Sequence, residues 1–412
     1  MVKELLKKDS IVVMLGTGGV GKTTVAAALG LAAAREGLNT ALITVDPARR
    51  LREALGLERL SAEPTRIDRR RLRAAGLDSS IRLSAMTLDV KRTWDALVRE
   101  FVESPEARGR ILENPFYRTL SQHFAGAEAY AALEQLNELQ RSGEFEIAIV
   151  DTPPAAHAFE FFETPRYLVR LLDSPAARWL FTPEASLGRN AVTIASRAAR
   201  FVINQLEAFT GTSTLSAIAD FFGLAADATA AMSDRFRKTE AMMRSARVSF
   251  VLVTTVHEDR LHDARELVRL TRRQNFRMRA IVLNRMLDER TFAALRTSRR
   301  TSPGHLAEIV RLRGLIGQLD SKDSALVSYL ESYREHQMLE IERAAAFGRG
   351  LPAGIALAVT PEIDPAVRDL RSLVILSELL TGSTPGRKFL DHAAEMREIA
   401  TPRHRRARLF MR

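Results

Sequence analysis

The 412-residue chain contains no cysteine, and this absence excludes several kinds of chemistry at once. Without a thiol the protein can form no disulfide, no thiolate metal site and no cysteine nucleophile. A protein without disulfides is compatible with a reducing compartment. We therefore predict a cytoplasmic protein.

Long apolar segments are also missing. No window reaches the run of about 18 uncharged apolar residues that a membrane-spanning helix needs. Residues 1–10 carry charge and have no apolar core of signal-peptide length. We therefore expect a soluble protein that touches membranes only peripherally.

Acidic residues are in deficit, with 50 Asp and Glu against 61 Lys and Arg, for a net charge of +11. Such a charge raises the possibility of nucleic acid or an anionic lipid surface as a partner. Part of the excess lies in the tail, residues 401–412, which holds five arginines and no acid. The tail is either a solubilising end or a contact for membrane, nucleic acid or a protein. Aromatic residues make up only 6% and are not interleaved with the basic ones, which argues against specific nucleic-acid reading.

An apolar run, Ile11–Leu15, leads straight into a glycine-rich turn and then into an alanine-rich helical pattern. Residues 16–23 satisfy G-x-x-x-x-G-K-[ST], the phosphate-binding P-loop, in which backbone N–H groups and a helix N-terminus face phosphate oxygens. In this motif the lysine bridges the β- and γ-phosphates and the hydroxyl after it holds Mg²⁺. The sequence thus predicts an ATP and Mg²⁺ site formed by Gly18, Gly19, Val20, Gly21, Lys22, Thr23 and Thr24.

Short apolar runs alternate with long helical patterns, which predicts an α/β fold with a doubly wound, mostly parallel sheet. The predicted strands are Ile11–Leu15, Ala41–Val45, Ile81–Ala85, Ile147–Asp151, Val248–Thr254, Ala280–Leu283 and Gly354–Val359. The predicted helices cover residues 88–104, 117–141, 260–274, 303–340 and 365–380.

Residues 155–245 break this alternation and predict a helical insertion subdomain. Apolar residues recur there at three- or four-residue intervals, as in Ile218 and Phe222 and again in Met232 and Phe236. Another such stripe is Val202, Leu206 and Phe209, and Met243 continues the last one. Such stripes either pack on one another or line a groove for an apolar client. The predicted organisation is a nucleotide-binding domain in two parts, residues 1–154 and 246–385, with the insertion between them and a basic tail over 386–412.

Two acids stand where a P-loop fold places catalytic groups. Asp151 ends an apolar strand, the form of a Walker B element that binds the metal ion. Asp46 follows another strand, and its carboxylate is predicted to orient the attacking water at the ligand crevice. The alternative for Asp151 is an acid that merely ends its strand, which the P-loop makes the less favoured interpretation. Asp46 taken alone is equally typical of a turn residue before proline.

These motifs together resemble the arsenical pump-driving and guided-entry ATPases, the second of which deliver tail-anchored membrane proteins. Both belong to the deviant Walker A class. Residues 18–24 match the class loop, Asp46-Pro47-Ala48 matches the first switch, and Asp151-Thr152-Pro153-Pro154 with His157 resembles the second. Thr254, Thr255 and Asn284 look like later strand ends, and the resemblance implies that Asn284 contacts adenine. Pro361 and Glu362 look like the loop that closes over the base.

Three departures from this pattern matter. The class begins its loop with a lysine that reaches the partner's phosphates across a dimer, and this chain has Thr17 there. The second switch has Ala155-Ala156 where Thr-Gly is usual. The cysteines that bind zinc or arsenite in relatives are absent, so we expect no zinc and no thiol-based arsenite transport. The missing cation is either replaced by Arg49 or Arg50, supplied by a homologue, or not replaced; those arginines could equally be solvated residues at a helix start.

The resemblance implies a dimeric ATPase with Lys22 and Asp46 as catalytic residues, whose nucleotide state controls a helical surface for a hydrophobic protein client. Two alternatives remain open. One is a weakly hydrolysing subunit that pairs with an active homologous ATPase. The other is a partition-type scaffold that uses its basic tail on DNA or a membrane.

Overall fold

The computed structural model describes residues 2–45, 49–123, 127–152, 158–173, 212–287, 324–363 and 369–382, together with Gly386 and Leu390. Several predicted features lie outside these residues: Asp46, His157, residues 303–323 and the tail. Arg49 and Arg50 begin a helix, but their side chains are likewise not described.

An eight-stranded sheet forms the centre of the fold, in the order β3-β4-β2-β5-β1-β6-β7-β8. All neighbouring strands are parallel except β3, which pairs antiparallel with β4. This confirms the predicted mostly parallel sheet with the P-loop strand, β1, near its centre. The strands are β1 Ser10–Leu15, β2 Thr40–Thr44, β3 Thr65–Arg66, β4 Leu83–Thr87, β5 Ile147–Asp151, β6 Val248–Thr254, β7 Met278–Leu283 and β8 Ala356–Val359.

Thirteen α-helices are described between and after these strands. Those that precede β5 are α1 Lys22–Arg35, α2 Arg49–Leu55, α3 Arg69–Ala74, α4 Val90–Phe101, α5 Pro105–Glu113, α6 Pro115–His123 and α7 Ala127–Ser142. The later ones are α8 Ala158–Asp173, α9 Thr212–Leu224, α10 Thr229–Arg244, α11 Glu258–Arg273, α12 Ser324–Arg349 and α13 Leu370–Thr381.

Helices cover both faces of the sheet, as the nearly all-apolar strands require. One face packs against apolar residues of α7, α11 and α12, and the other against α1, α2 and α13. Every residue of β5 and β6 is buried. Because both faces are covered, a ligand reaches the sheet most readily at its two edges, where the strands begin and end.

Several predicted boundaries shift in the structure. β4 covers Leu83–Thr87 and not residues 81–85, and the two-residue strand β3 is not predicted because it is too short to show a period. The predicted helix over 117–141 is two helices, α6 and α7. α6 begins earlier, since the Asn114 side chain accepts hydrogen bonds from the backbone N–H groups of Phe116 (2.9 Å) and Tyr117 (3.2 Å), the geometry of a helix cap.

Between β5 and β6 the described residues form helices and no strand, as predicted. These helices do not pack only on one another. Trp94 of α4 and Tyr130 of α7 form a buried aromatic cluster with Phe236 of α10, which the sequence did not predict. Where the predicted stripes are described, Ile218, Phe236 and Met243 are buried, which supports packing as their role. The stripe of Val202, Leu206 and Phe209 lies outside the described residues.

A buried ion pair joins α7 to α10 beside this aromatic cluster. The Arg235 guanidinium donates to the Glu134 carboxylate, with Nε 2.9 Å from Oε1, and both side chains are largely buried. Burial is the main cause that raises the pKa of Tyr130 well above its ordinary value. The Tyr130 hydroxyl therefore keeps its proton and donates to Glu134 Oε2 at 3.1 Å. Helices on either side of β5 in the sequence are thus one packed unit.

Candidate nucleotide site

The glycine-rich turn lies at the C-terminal edge of the sheet, between β1 and α1. Gly19 and Gly21 have φ angles of 82° and 89°, in the left-handed region that glycine adopts without strain. A side chain at Gly16 would lie 2.5 Å from the Val253 carbonyl oxygen, and one at Gly21 would collide with the Asn284 amide. These contacts explain why the turn needs glycine. The turn leads directly into α1, which begins at Lys22.

Lys22, the first residue of α1, lies against the acid at the end of β5. Its Nζ is 3.5 Å from Asp151 Oδ1, and the two side chains are 6% and 0% exposed. The Thr44 hydroxyl, at the end of β2, contacts Asp151 Oδ2 at 3.3 Å. The structure therefore brings together Lys22 and Asp151, which the sequence assigned to phosphate and metal, as a buried charged pair at the strand ends.

Thr152 fixes the end of β5 to the P-loop strand. Its hydroxyl donates to the Met14 carbonyl oxygen at 2.6 Å, and the side chain is 1% exposed. Since Met14 of β1 lies opposite Asp151 in the neighbouring strand, this bond fixes the position of the acid relative to the loop. The sequence identified Thr152 only as part of the second switch and did not predict its bond to β1.

Asn284, predicted to contact adenine, lies after β7 and touches the P-loop itself. Its Nδ2 donates to the Val20 carbonyl oxygen at 2.7 Å, and its Oδ1 accepts from the Thr360 hydroxyl at 2.7 Å. The Val20 carbonyl, which can only accept, fixes which end of the amide carries the donor groups, and the Thr360 hydroxyl donates to the other end. Thr360 is fully buried at the end of β8, and sequence reasoning missed it because a lone threonine after a strand carries no pattern.

Thr17 presents a buried hydroxyl at the site. Its Oγ1 has no hydrogen-bond partner among the residues that the structure describes. Buried polar atoms are usually satisfied, and an unsatisfied one in a phosphate-binding loop fits a ligand oxygen. A hydroxyl can donate to a phosphate oxygen, but it brings no positive charge.

The remaining predicted site residues take varied positions. Thr23 and Thr24 lie in the first turn of α1 and are half-buried, and Pro361 is buried just after β8. Glu362 is exposed, and its backbone N–H donates to the Leu287 carbonyl at 2.9 Å. Asp46 lies beyond the described end of β2, so its predicted role stays a prediction.

The sequence model of the anion-transporting ATPase family matches residues 9–309. The chain belongs to this family. The match runs through the P-loop, β5 and β7, the elements that form the site.

Curated relatives give the same indication over a shorter segment. An ATPase GET3 from Malassezia globosa is 29% identical over 157 residues, which cover 38% of this chain and 43% of that protein. An ATPase GET3 from Mycosarcoma maydis is 26% identical over 157 residues, covering 38% and 42%. The chain thus spans less than half the length of the curated relatives it matches.

For this member of the anion-transporting ATPase family, the oxygen donors present fit Mg²⁺. No group of three or more His, Asp and Glu that could hold a metal exists among the described residues. Mg²⁺ typically keeps several waters and binds one or two protein oxygens together with substrate phosphates. Thr23 and Asp151 would supply such a sparse set. In the described part of the chain, no helix is both long and apolar enough to cross a bilayer.

The contact between Thr360 and Asn284 makes a testable prediction. We expect Thr360→Val to weaken ATP binding roughly tenfold, because an unsatisfied buried acceptor costs about 1–3 kcal/mol and frees the amide that holds the loop. Calorimetric titration with ATP measures the change. Thr271→Val is the matched control, since that buried threonine donates within α11, far from the loop. Equal ATP affinity in parent and Thr360→Val would show that the Asn284 amide needs no such support.

Proposed function

We propose that this chain binds ATP with Mg²⁺ at the loop between β1 and α1 and hydrolyses the γ-phosphate. The contact between Lys22 and Asp151 carries this proposal, because it puts a phosphate-binding cation and a metal-binding carboxylate 3.5 Å apart at the N-terminus of a helix. Family membership supports the same reaction.

Each residue has a defined task in this proposal. Lys22 leaves Asp151 and moves to the β- and γ-phosphates when the nucleotide binds, and its positive charge stabilises the transferring group. Thr23 and Asp151 would hold Mg²⁺, which neutralises charge on the phosphates. Asp46 would orient the attacking water. Asn284 and Pro361 would contact the base, and the same Asn284 amide keeps Val20 and Gly21 in place.

We further propose that the protein acts as a dimer, in the cytoplasm, and couples its nucleotide state to a helical surface for a hydrophobic protein client. This step follows from the resemblance to guided-entry ATPases. In the described part of the chain only Tyr167, Leu339 and Ile375 are large, exposed apolar residues, and they do not adjoin in sequence. The domain organisation is part of this proposal. It consists of a nucleotide-binding domain in two parts, an insertion over 155–245 and a basic tail over 386–412.

Thr17 favours a second candidate function, a subunit that hydrolyses slowly and pairs with an active homologue. Phosphoryl transfer gains about 10³ to 10⁵ in rate from a cation supplied in trans, and a threonine supplies none. Thr17, whose hydroxyl is unsatisfied, occupies the loop position at which the class carries that lysine. The scaffold on DNA or a membrane rests on the basic tail alone.

Turnover of Thr17→Lys separates these functions. If no other cation replaces the missing lysine, the parent chain should bind ATP and hydrolyse it slowly, and Thr17→Lys should raise turnover about tenfold at concentrations where it dimerises. The gain stays below the full effect of a trans cation because the grafted lysine lacks partner groups that orient it. Phosphate release over a series of protein concentrations measures it. Thr17→Met, a long side chain without charge, is the control and should give no gain.

Arg49 provides the opposing outcome. If it already supplies the charge, Arg49→Ala slows hydrolysis at least about tenfold, equal to about 1.4 kcal/mol of barrier. Thr17→Lys would then add nothing or hinder by like-charge repulsion. Fast parental turnover that responds to neither substitution contradicts both accounts of the missing lysine.

A further inference from the structure

A second pocket lies at the opposite edge of the sheet, where the strands begin. It has a volume of about 320 Å³ and is formed at the starts of β1, β6, β7 and β8. The residues around it are Glu4, Leu5, Lys7, Ser10, Ala246, Ser249, Arg279, Gly354, Ile355 and Ala356. None of them takes part in the nucleotide site.

Two cations line this pocket without an acidic partner. Lys7 and Arg279 are both exposed, and among the described residues neither has a carboxylate oxygen within ion-pair distance. Neither belongs to the last turn of a helix, where a basic side chain is explained by the helix dipole. Their position at one pocket leaves both charges available to a negatively charged ligand.

The two serine hydroxyls of the pocket differ in their hydrogen bonding. The Ser10 hydroxyl already donates to the carbonyl oxygens of Leu5 and Lys7. The Ser249 side chain is 9% exposed and has no hydrogen-bond partner in the described part of the chain. Ser249 therefore offers a donor in the same lining as the two cations, while Glu4 is the one acid in that lining.

Two further arginines directly precede strands that line the pocket. Arg247 and Arg277 are exposed and stand directly before β6 and β7, held by backbone bonds from Ile11 (2.8 Å) and Phe250 (2.9 Å) to their carbonyl oxygens. The excess of cations over Glu4 and the neighbouring Asp9 makes the local potential positive. Such a potential attracts anions and concentrates them at the pocket.

We infer that this pocket binds a phosphate group, held by Arg279, Lys7 and the Ser249 hydroxyl. Guanidinium and ammonium groups with a hydroxyl donor match the several acceptor oxygens of a phosphate. The phosphate could belong to a small soluble molecule or to a lipid headgroup, and both present the same oxygens. The inference does not depend on the proposed ATPase function.

The test is a calorimetric titration of the full chain with inorganic phosphate. We expect Arg279→Gln to weaken one binding component about tenfold or more, since the variant loses a charge-assisted hydrogen bond to the phosphate. That component should persist in Lys22→Ala, which removes the P-loop cation. Glu4→Gln should tighten it, because the repelling carboxylate is gone.

Arg272→Gln is the matched control, because Arg272 is exposed at the same edge but does not line the pocket. Equal loss in Arg272→Gln and Arg279→Gln would overturn the inference in favour of diffuse attraction. A parallel arm measures sedimentation with phosphatidic acid vesicles against phosphatidylcholine vesicles. Arg279-dependent binding to the vesicles alone identifies a lipid headgroup, and its absence in both arms overturns the site.

Discussion

Replacing Lys22 by alanine is expected to abolish ATP turnover and to weaken ATP binding by about 10- to 100-fold. Lys22 is the only cation in the described part of the loop, and hydrogen bonds to charged groups contribute about 1.5–3 kcal/mol. The loss falls in a pocket where the side chain is only 6% exposed, so water replaces the charge poorly. Equilibrium titration with ATP and a phosphate-release assay measure the two effects.

A second variant distinguishes loss of function from loss of the fold. Lys22→Ala leaves the carboxylate of the fully buried Asp151 without its cation, and removing one partner of a buried pair is destabilising. Lys22→Arg keeps a positive charge near Asp151 but replaces a compact ammonium by a planar fork that does not fit the same place. We expect Lys22→Arg to fold and still fail to hydrolyse ATP. Turnover at the parental rate in Lys22→Arg would contradict the role given to the lysine.

The second large effect is expected from Asp46→Asn, which should preserve ATP binding and reduce hydrolysis at least about 100-fold. The amide keeps the size of the carboxylate but cannot take a proton from water, and such groups contribute about 10² to 10⁴ in rate. Single-turnover hydrolysis measures the chemical step without product release.

Asp9→Asn is the control for Asp46→Asn. Asp9 is exposed at the opposite edge of the sheet, and its φ of 59° is one that asparagine also adopts readily. We expect this variant to hydrolyse ATP as the parent does. If Asp46→Asn does the same, another group orients the water and the first switch has lost its usual function in this chain.

The alternation of apolar runs and helical patterns predicted the doubly wound sheet, because strands buried on both faces must be apolar throughout. The residues from Gly16 to Thr23 likewise predicted a glycine turn that leads from β1 into α1, since the glycines and the lysine of this motif are adjacent in the chain. Helix and strand ends were less accurate. The start of α6 depends on how one side chain, Asn114, folds back onto backbone N–H groups.

The unpredicted side-chain contacts of the site and of the helical packing join residues that are far apart in the chain. Thr360 and Asn284 meet 76 positions apart, and Asn284 reaches Val20 across 264 positions. Arg235 and Glu134 are separated by 101 residues and by the whole of β5. A single sequence contains no period or spacing that relates such pairs, so only the packed fold reveals them.

The sequence by itself determined the fold class, the phosphate-binding loop and the loss of the loop lysine at Thr17, because each is encoded by neighbouring residues or by a local period. Tertiary structure alone decided that Lys22 rests on Asp151 and that Asn284 and Thr360 hold the loop. It alone gathered Lys7, Ser249 and Arg279 at one pocket. The physical reason is that a parallel sheet aligns the ends of strands from distant parts of the chain, and side chains that follow those ends meet only after the sheet has formed.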